Sequence, residues 1–141
     1  MRNIAVVYWS GTGNTQTMAE AVLAGAKDAG AQAQLFTAAE FDACKMDSFD
    51  AIAFGCPAMG SEVLEECEFE PMFEGCEAKL AGKSIGLFGS YGWGDGEWMR
   101  DWAQRCRDKG AQLASDGVMA NEAPDDEALA ACRALGAQLG A

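Results

Sequence analysis

In the run Ser10-Gly11-Thr12-Gly13-Asn14-Thr15 every residue is either glycine or carries a hydrogen-bonding side chain. The run follows the apolar segment Ile4-Ala5-Val6-Val7-Tyr8-Trp9 and precedes a helical pattern, an order that predicts strand, tight loop and helix N-terminus. Two glycines let the backbone turn sharply and approach a ligand closely. The hydroxyls, the amide and the unpaired N–H groups of the first helical turn then supply donors to an anion. The chemistry of such a loop is to hold a phosphate. A nucleotide-hydrolase loop does not fit, because it needs Gly-Lys-Ser/Thr where Gly13-Asn14-Thr15 stands. A dinucleotide fingerprint fits poorly: Gln16 occupies the place of a third small residue, and Phe36-Thr37 the place of a strand-ending acid. On this loop alone, a Ser/Thr-rich turn that merely caps a helix remains the plain alternative.

Two further loops bear on the choice. Pro57-Ala58-Met59-Gly60-Ser61-Glu62 follows the apolar run Ala51-Ile52-Ala53-Phe54-Gly55-Cys56, and Ser90-Tyr91-Gly92-Trp93-Gly94-Asp95-Gly96 follows Ser84-Ile85-Gly86-Leu87-Phe88. In the second loop Gly92, Gly94 and Gly96 alternate with other residues, so Tyr91 and Trp93 ride on a permissive backbone. Aromatic rings on such a loop suit the walls of a flat ligand. The alternative is that they cover the sheet end against the next helix.

The elements that position these loops are legible from periodicity. Met18, Ala21, Val22, Gly25, Ala26 and Ala29 recur at helical spacing until Gly30, and a short strand from Ala33 to Thr37 follows. The runs 51–56 and 84–88 read as strands buried on both faces, and a helix from Glu97 to Lys109 presents Trp98, Met99, Trp102 and Cys106 on one side. The last strand is divided, Ala111–Ala114 and Val118–Ala120 around Asp116-Gly117, with nothing long inserted. Pro124-Asp125-Asp126-Glu127 opens a final helix whose stripe is Leu129, Cys132, Leu135 and Leu139. Five strands alternating with helices predict one α/β domain over residues 1–141, a parallel sheet covered on both faces. Ligands of such sheets sit beyond the C-terminal strand ends, where all three loops lie.

Composition narrows the class. Among 141 residues half are apolar, and no apolar run approaches the roughly 20 residues of a membrane span, so the reading is a cytoplasmic chain without a leader. A net charge of −12 argues against nucleic acid and anionic membrane as partners and for basic surfaces of other proteins. Seven glutamates, at 62, 65, 66, 68, 70, 74 and 77, occur with no basic residue among them and read as a solvated acidic face. The six cysteines have no Cys-x-x-Cys pair and His is absent, so zinc or cluster ligation does not fit; they read as small buried residues. Without His, enzymes that rely on an imidazole base are disfavoured.

Ser-Gly-Thr-Gly-Asn-Thr, Gly-Cys-Pro-Ala-Met-Gly-Ser-Glu and Gly-Ser-Tyr-Gly-Trp-Gly, in this order, resemble the short-chain flavodoxins of anaerobic bacteria over essentially the whole chain. The resemblance implies a flavodoxin-like three-layer sandwich, a five-stranded parallel sheet of order 2-1-3-4-5, and one non-covalent flavin mononucleotide (FMN). By the same resemblance Ser10, Thr12, Asn14 and Thr15, with the backbone of Gly11 and Gly13, bind the phosphate. Met59 covers the inner flavin face and Trp93 the outer, and Glu62 accepts from flavin N3. Pro57, Ala58, Gly60, Ser90, Tyr91, Gly92, Gly94 and Gly96 complete the cofactor loops. Some members have serine at the place of Pro57, a phosphate contact that proline cannot make, and others an acid at the place of Ser61.

The implied activity is that of a monomeric low-potential carrier, cycling between semiquinone and hydroquinone and shuttling electrons between reductases and oxidoreductases. With Met59 and Trp93 on both faces a nicotinamide has nowhere to stack, and single electrons pass through the ring edge. In the family the peptide after the glycine at Gly60 turns over on reduction to offer a carbonyl to N5–H. One such bond, about 1 to 1.5 kcal/mol, corresponds to roughly 45 to 65 mV. An uncharged phosphate cradle beside a glutamate-rich segment disfavours further negative charge. A quinone or nitro-compound reductase on the same fold needs an open flavin face and extra chain, and neither is evident. A phosphate-accepting receiver domain needs acids where Trp9-Ser10 and Cys56-Pro57 stand.

Overall fold

The computed structural model describes residues 2–59, 63–92 and 94–141. Strand β1 (Asn3–Tyr8) leads into helix α1 (Asn14–Asp28), β2 (Gln32–Thr37), the short α2 (Ala43–Met46) and β3 (Ala51–Gly55). Then come α3 (Phe69–Cys76), β4 (Ser84–Tyr91), α4 (Glu97–Asp108), β5 (Gln112–Leu113), β6 (Val118–Asn121) and α5 (Asp126–Gly140). All strand pairings are parallel, as the alternation of strands and helices predicts, and the order is β2-β1-β3-β4-β5, as the family resemblance implies. The divided last strand takes the form of two pieces on one neighbour. β5 pairs with the start of β4 and β6 with its end, Phe88 opposite Val118 to Tyr91 opposite Asn121, so the sheet counts six strands.

Side chains alternate across this sheet, and the alternation divides the core in two. Val7, Ile52, Phe54, Ile85 and Leu87 face α3 and α4, where they meet Phe69, Phe73, Trp98 and Trp102. Ile4, Val6, Ala51, Ala53 and Phe88 face α1 and α5, where the partners are Met18, Val22, Ala26, Leu135 and Leu139. Every residue of β3 is buried, which accounts for its unbroken apolar run. α1 and α5 touch backbone to backbone: a Cβ on Gly25 would stand 2.0 Å from Arg133 O, and one on Gly136 2.0 Å from Val22 O.

Two sequence expectations need correction. Cys56, Cys76, Cys106 and Cys132 are buried, whereas Cys44 and Cys67 are exposed, one on the one-turn α2 and the other in the turn before α3. The glutamate-rich stretch is not a uniformly solvated face. Arg105, from α4, forks onto Glu70 at 2.8 and 2.6 Å and also reaches Glu77 at 2.8 Å, with its guanidinium 4.8 Å from the Phe73 ring centre. Glu65, 7 % exposed, turns inward onto the backbone. α3 itself is shorter than the stretch, because the chain from Val63 to Glu68 is turn and bridge.

Candidate functional site

Three of the loops meet in one cleft. Trp9, Gly11, Thr12 and Asn14 follow β1; Pro57, Ala58 and Met59 follow β3; Ser90, Tyr91 and Gly92 come from the end of β4. Glu122, just past β6, completes the lining of a cleft of about 400 Å³, within the roughly 300–1,000 Å³ typical of small-molecule sites. It opens at the C-terminal ends of β1, β3 and β4, beside the point where β1 has β2 on one side and β3 on the other.

At one end of the cleft is the β1 loop. Gly13 takes φ 98°, a left-handed conformation, and precedes α1 without providing a side-chain cap; the first turn of the helix contains no acid. The N–H groups of that turn therefore keep their dipolar attraction for an anion. Ser10 Oγ accepts the Gly13 N–H at 3.0 Å, which leaves its own proton free to donate into the loop. Thr15 is placed differently from the predicted phosphate ligands: it is 1 % exposed, and its hydroxyl pairs with that of Ser90 at 3.1 Å. That bond ties the start of α1 to the end of β4. Ser10, Gly13 and Thr15 thus frame the loop, while Gly11, Thr12 and Asn14 line the cleft.

The opposite end is apolar and braced by backbone bonds. Ala58 N–H donates to Ser90 O at 3.0 Å, Met59 and Val63 exchange two bonds of 2.8 and 3.2 Å, and Glu122 N–H donates to Tyr91 O at 2.7 Å. Tyr91 leans on Trp98, ring centres 5.5 Å apart, and Trp98 Nε1 donates to Cys56 O at 3.1 Å. Burial pushes the Cys56 thiol up to about 12, so it stays protonated and inert beneath the loop. Gly94 and Gly96 do not line the cleft; Gly96, with φ 93°, starts α4, where a Cβ would meet Met119 Sδ at 2.7 Å. The expected contacts of Gly60, Glu62 and Trp93 lie outside the described residues.

Two lining residues escaped the sequence reading. Trp9 reads as strand, yet β1 stops at Tyr8; its indole lies over Gly11, where a Cβ would stand 3.1 Å from the ring, and its Nε1 donates to Glu68 Oε1 at 3.1 Å. Glu122 sits at φ 58°, a left-handed conformation unusual for a side-chain-bearing residue. The signal available for it was its place after a strand end in a sheet whose other three strand-end loops were already suspect.

The flavodoxin family model matches residues 6–136. This chain belongs to the flavodoxin family. It is 47% identical over 133 residues to a flavodoxin of Megasphaera elsdenii, covering 94% of this chain and 95% of the relative. A Clostridium beijerinckii flavodoxin is 42% identical over 121 residues, 86% and 88% of the two chains. In three dimensions a solution structure of two-electron reduced M. elsdenii flavodoxin superposes with a TM-score of 0.87 at 45% identity, covering 97% of this chain and 98% of the other. The short-chain type fits the length. Flavodoxins are FMN-binding electron-transfer flavoproteins rather than enzymes, and this is the class of the chain. The residues present fit the cofactor: uncapped helix donors and a free hydroxyl stand at one end, an apolar wall of Pro57, Met59 and Tyr91 at the other, and the Trp9 indole lies over Gly11 of the phosphate loop.

Proposed function

We propose that the chain is a low-potential one-electron carrier that cycles mainly between the semiquinone and hydroquinone states of non-covalent FMN and serves separate redox proteins. FMN supplies the one-electron chemistry. Ser10, Thr12 and Asn14, with the amides of their loop, hold the phosphate, and Pro57, Ala58, Met59, Ser90, Tyr91 and Gly92 shape the ring site. Trp93, Glu62 and Gly60 keep the roles the family resemblance gives them, as outer wall, N3 acceptor and pivot. The observation that carries the reading is the uncapped start of α1, with no acid in its first turn, opening into a cleft lined, among the described residues, by no Lys or Arg. Such a cradle attracts a phosphate without neutralising it, worth about 0.3–1 kcal/mol from the helix dipole, so further negative charge nearby is resisted.

Partners are proposed to be proteins with basic docking surfaces, met by a monomer in the cytoplasm. Glu66, Glu68 and Glu74 are exposed and contribute to that field, whereas Glu65, Glu70 and Glu77 are engaged within the fold. Electron transfer should therefore slow as salt rises.

Titrating the apo-protein with FMN and with riboflavin, then reducing the complex stepwise, tests this reading. FMN should bind more tightly than riboflavin, with reduction passing through a blue one-electron stage that is less populated in Gly60→Ala. Equal affinities, or a single two-electron step, would overturn it. Turnover with NAD(P)H alone would favour the reductase alternative.

A further inference from the structure

One glutamate of the acidic segment is unlike its neighbours. The carboxylate of Glu65 accepts three backbone N–H groups, from Cys67 at 2.8 Å through Oε2 and from Glu68 at 2.7 Å and Phe69 at 2.8 Å through Oε1. Its own N–H donates to Cys56 Sγ at 3.4 Å, and its carbonyl accepts the Glu70 N–H at 2.8 Å. Glu68, the residue that flanks α3, makes no side-chain cap, so Glu65 caps the helix from upstream. Burial pushes this carboxyl up, but the backbone donors outweigh it and hold it below the usual carboxylate range, so it is ionised at neutral pH.

These bonds pin the far end of the segment that forms the ring site. Its near end is held by Cys56 O, which accepts from Trp98, and by Ala58 N–H, which donates to Ser90. Between the two anchors, the paired bonds of Met59 and Val63 close the loop. Residues 57–59 and 63–64 therefore lie between a sheet anchor and an anchor at Glu65, to which the carboxylate contributes three bonds and the backbone of Glu65 two.

We infer that Glu65 is a positioning residue of the redox site: its carboxylate fixes the turn that follows Val63, the backbone partner of Met59, and so sets how readily Met59 shifts when the cofactor is reduced. The inference rests on the FMN reading above. It differs from a charge effect, because the carboxylate is directed into backbone donors and Glu66, next to it, is exposed to solvent with the same formal charge.

Glu65→Gln keeps the shape, loses the charge and sets an amide donor against a backbone N–H. Glu66→Gln removes the same charge without touching the brace. In the apo-protein, Glu65→Gln should speed amide hydrogen exchange at Met59 and Val63 about tenfold while leaving α1 and α5 unchanged. After FMN loading it should shift the yield of one-electron-reduced protein severalfold, and Glu66→Gln should not. Should Glu65→Gln fail to fold, Glu65→Asp, one methylene shorter, gives the same comparison with a smaller expected change. Unchanged exchange at Met59 and Val63, or an equal redox shift in Glu66→Gln, overturns the inference. A wild-type chain that refuses FMN overturns the functional reading instead, and is seen before any variant is compared.

Discussion

Replacing Arg105 by alanine removes one cation and strands two anions. Arg105 is 26 % exposed along its side chain, Glu70 33 % and Glu77 15 %, so the triad lies between the surface and the interior. Exposed pairs are worth about 0–1 kcal/mol, and breaking a buried one costs about 3–5 kcal/mol. For this geometry, with a two-pronged fork onto Glu70 and the guanidinium stacked over Phe73, we expect Arg105→Ala to cost about 2–3 kcal/mol, or roughly 10 °C in Tm. Arg105→Lys keeps the charge but cannot reproduce the fork, and should lose about half as much. Urea denaturation of the apo-protein measures both. The pH dependence gives a second check. The hydrogen bond from Arg105 outweighs burial and holds the Glu77 carboxyl below its ordinary range. A carboxyl lowered in the fold contributes stability above its unfolded value, near 4.3, and loses it as pH falls through the folded value. The gap between wild type and Arg105→Ala should therefore be full at pH 7 and shrink below about pH 4.5. A loss under about 0.5 kcal/mol at pH 7, or a loss unchanged at pH 3, would refute the reasoning.

Gly136→Ala should be severe, because the new methyl would stand 2.0 Å from the backbone oxygen of Val22, which cannot rotate away; we expect more than about 3 kcal/mol or insoluble protein, read from denaturation midpoint and yield. Trp102 should tolerate phenylalanine better than Trp98 does. Among the described residues the buried Trp102 Nε1 has no hydrogen-bond partner, while Trp98 Nε1 donates to Cys56 O, so Trp98→Phe should cost about 1–2 kcal/mol more in chemical denaturation.

The frame of the fold was legible because it depends on local pattern. The unbroken run in β3 reports burial on both faces, the helical stripes of α1 and α4 report one, and Gly30 and Gly96 punctuate them. The cleft was legible for a related reason: loops at strand ends in a parallel sheet must converge, and glycine-rich ones with donors or aromatics declare themselves. What escaped depends on encounters between distant residues. Arg105 lies 35 positions from Glu70 and 28 from Glu77, and no local spacing connects them. Thr15 reads as one more phosphate donor, and the bond of its hydroxyl to Ser90, 75 positions on, is not written in any local spacing. Glu65 and Glu66 are indistinguishable as letters, and only the turn before α3 decides that one points into backbone donors and the other into solvent. Trp9 continues the apolar run of β1, but the pairing with β2 and β3 ends one residue earlier.

The unequal division of the core has a spectroscopic consequence. Trp98 and Trp102 belong to the layer between the sheet and α3–α4, with Trp9 packed at its margin, whereas the α1–α5 layer has Tyr8 at its edge as its aromatic alcohol. Indole emission from the described residues therefore reports on half of the molecule. Loosening of α1 from α5 would leave the indoles of the described residues in place yet register in far-ultraviolet dichroism, and the distance between those two melting curves would measure how tightly the sheet couples its sides.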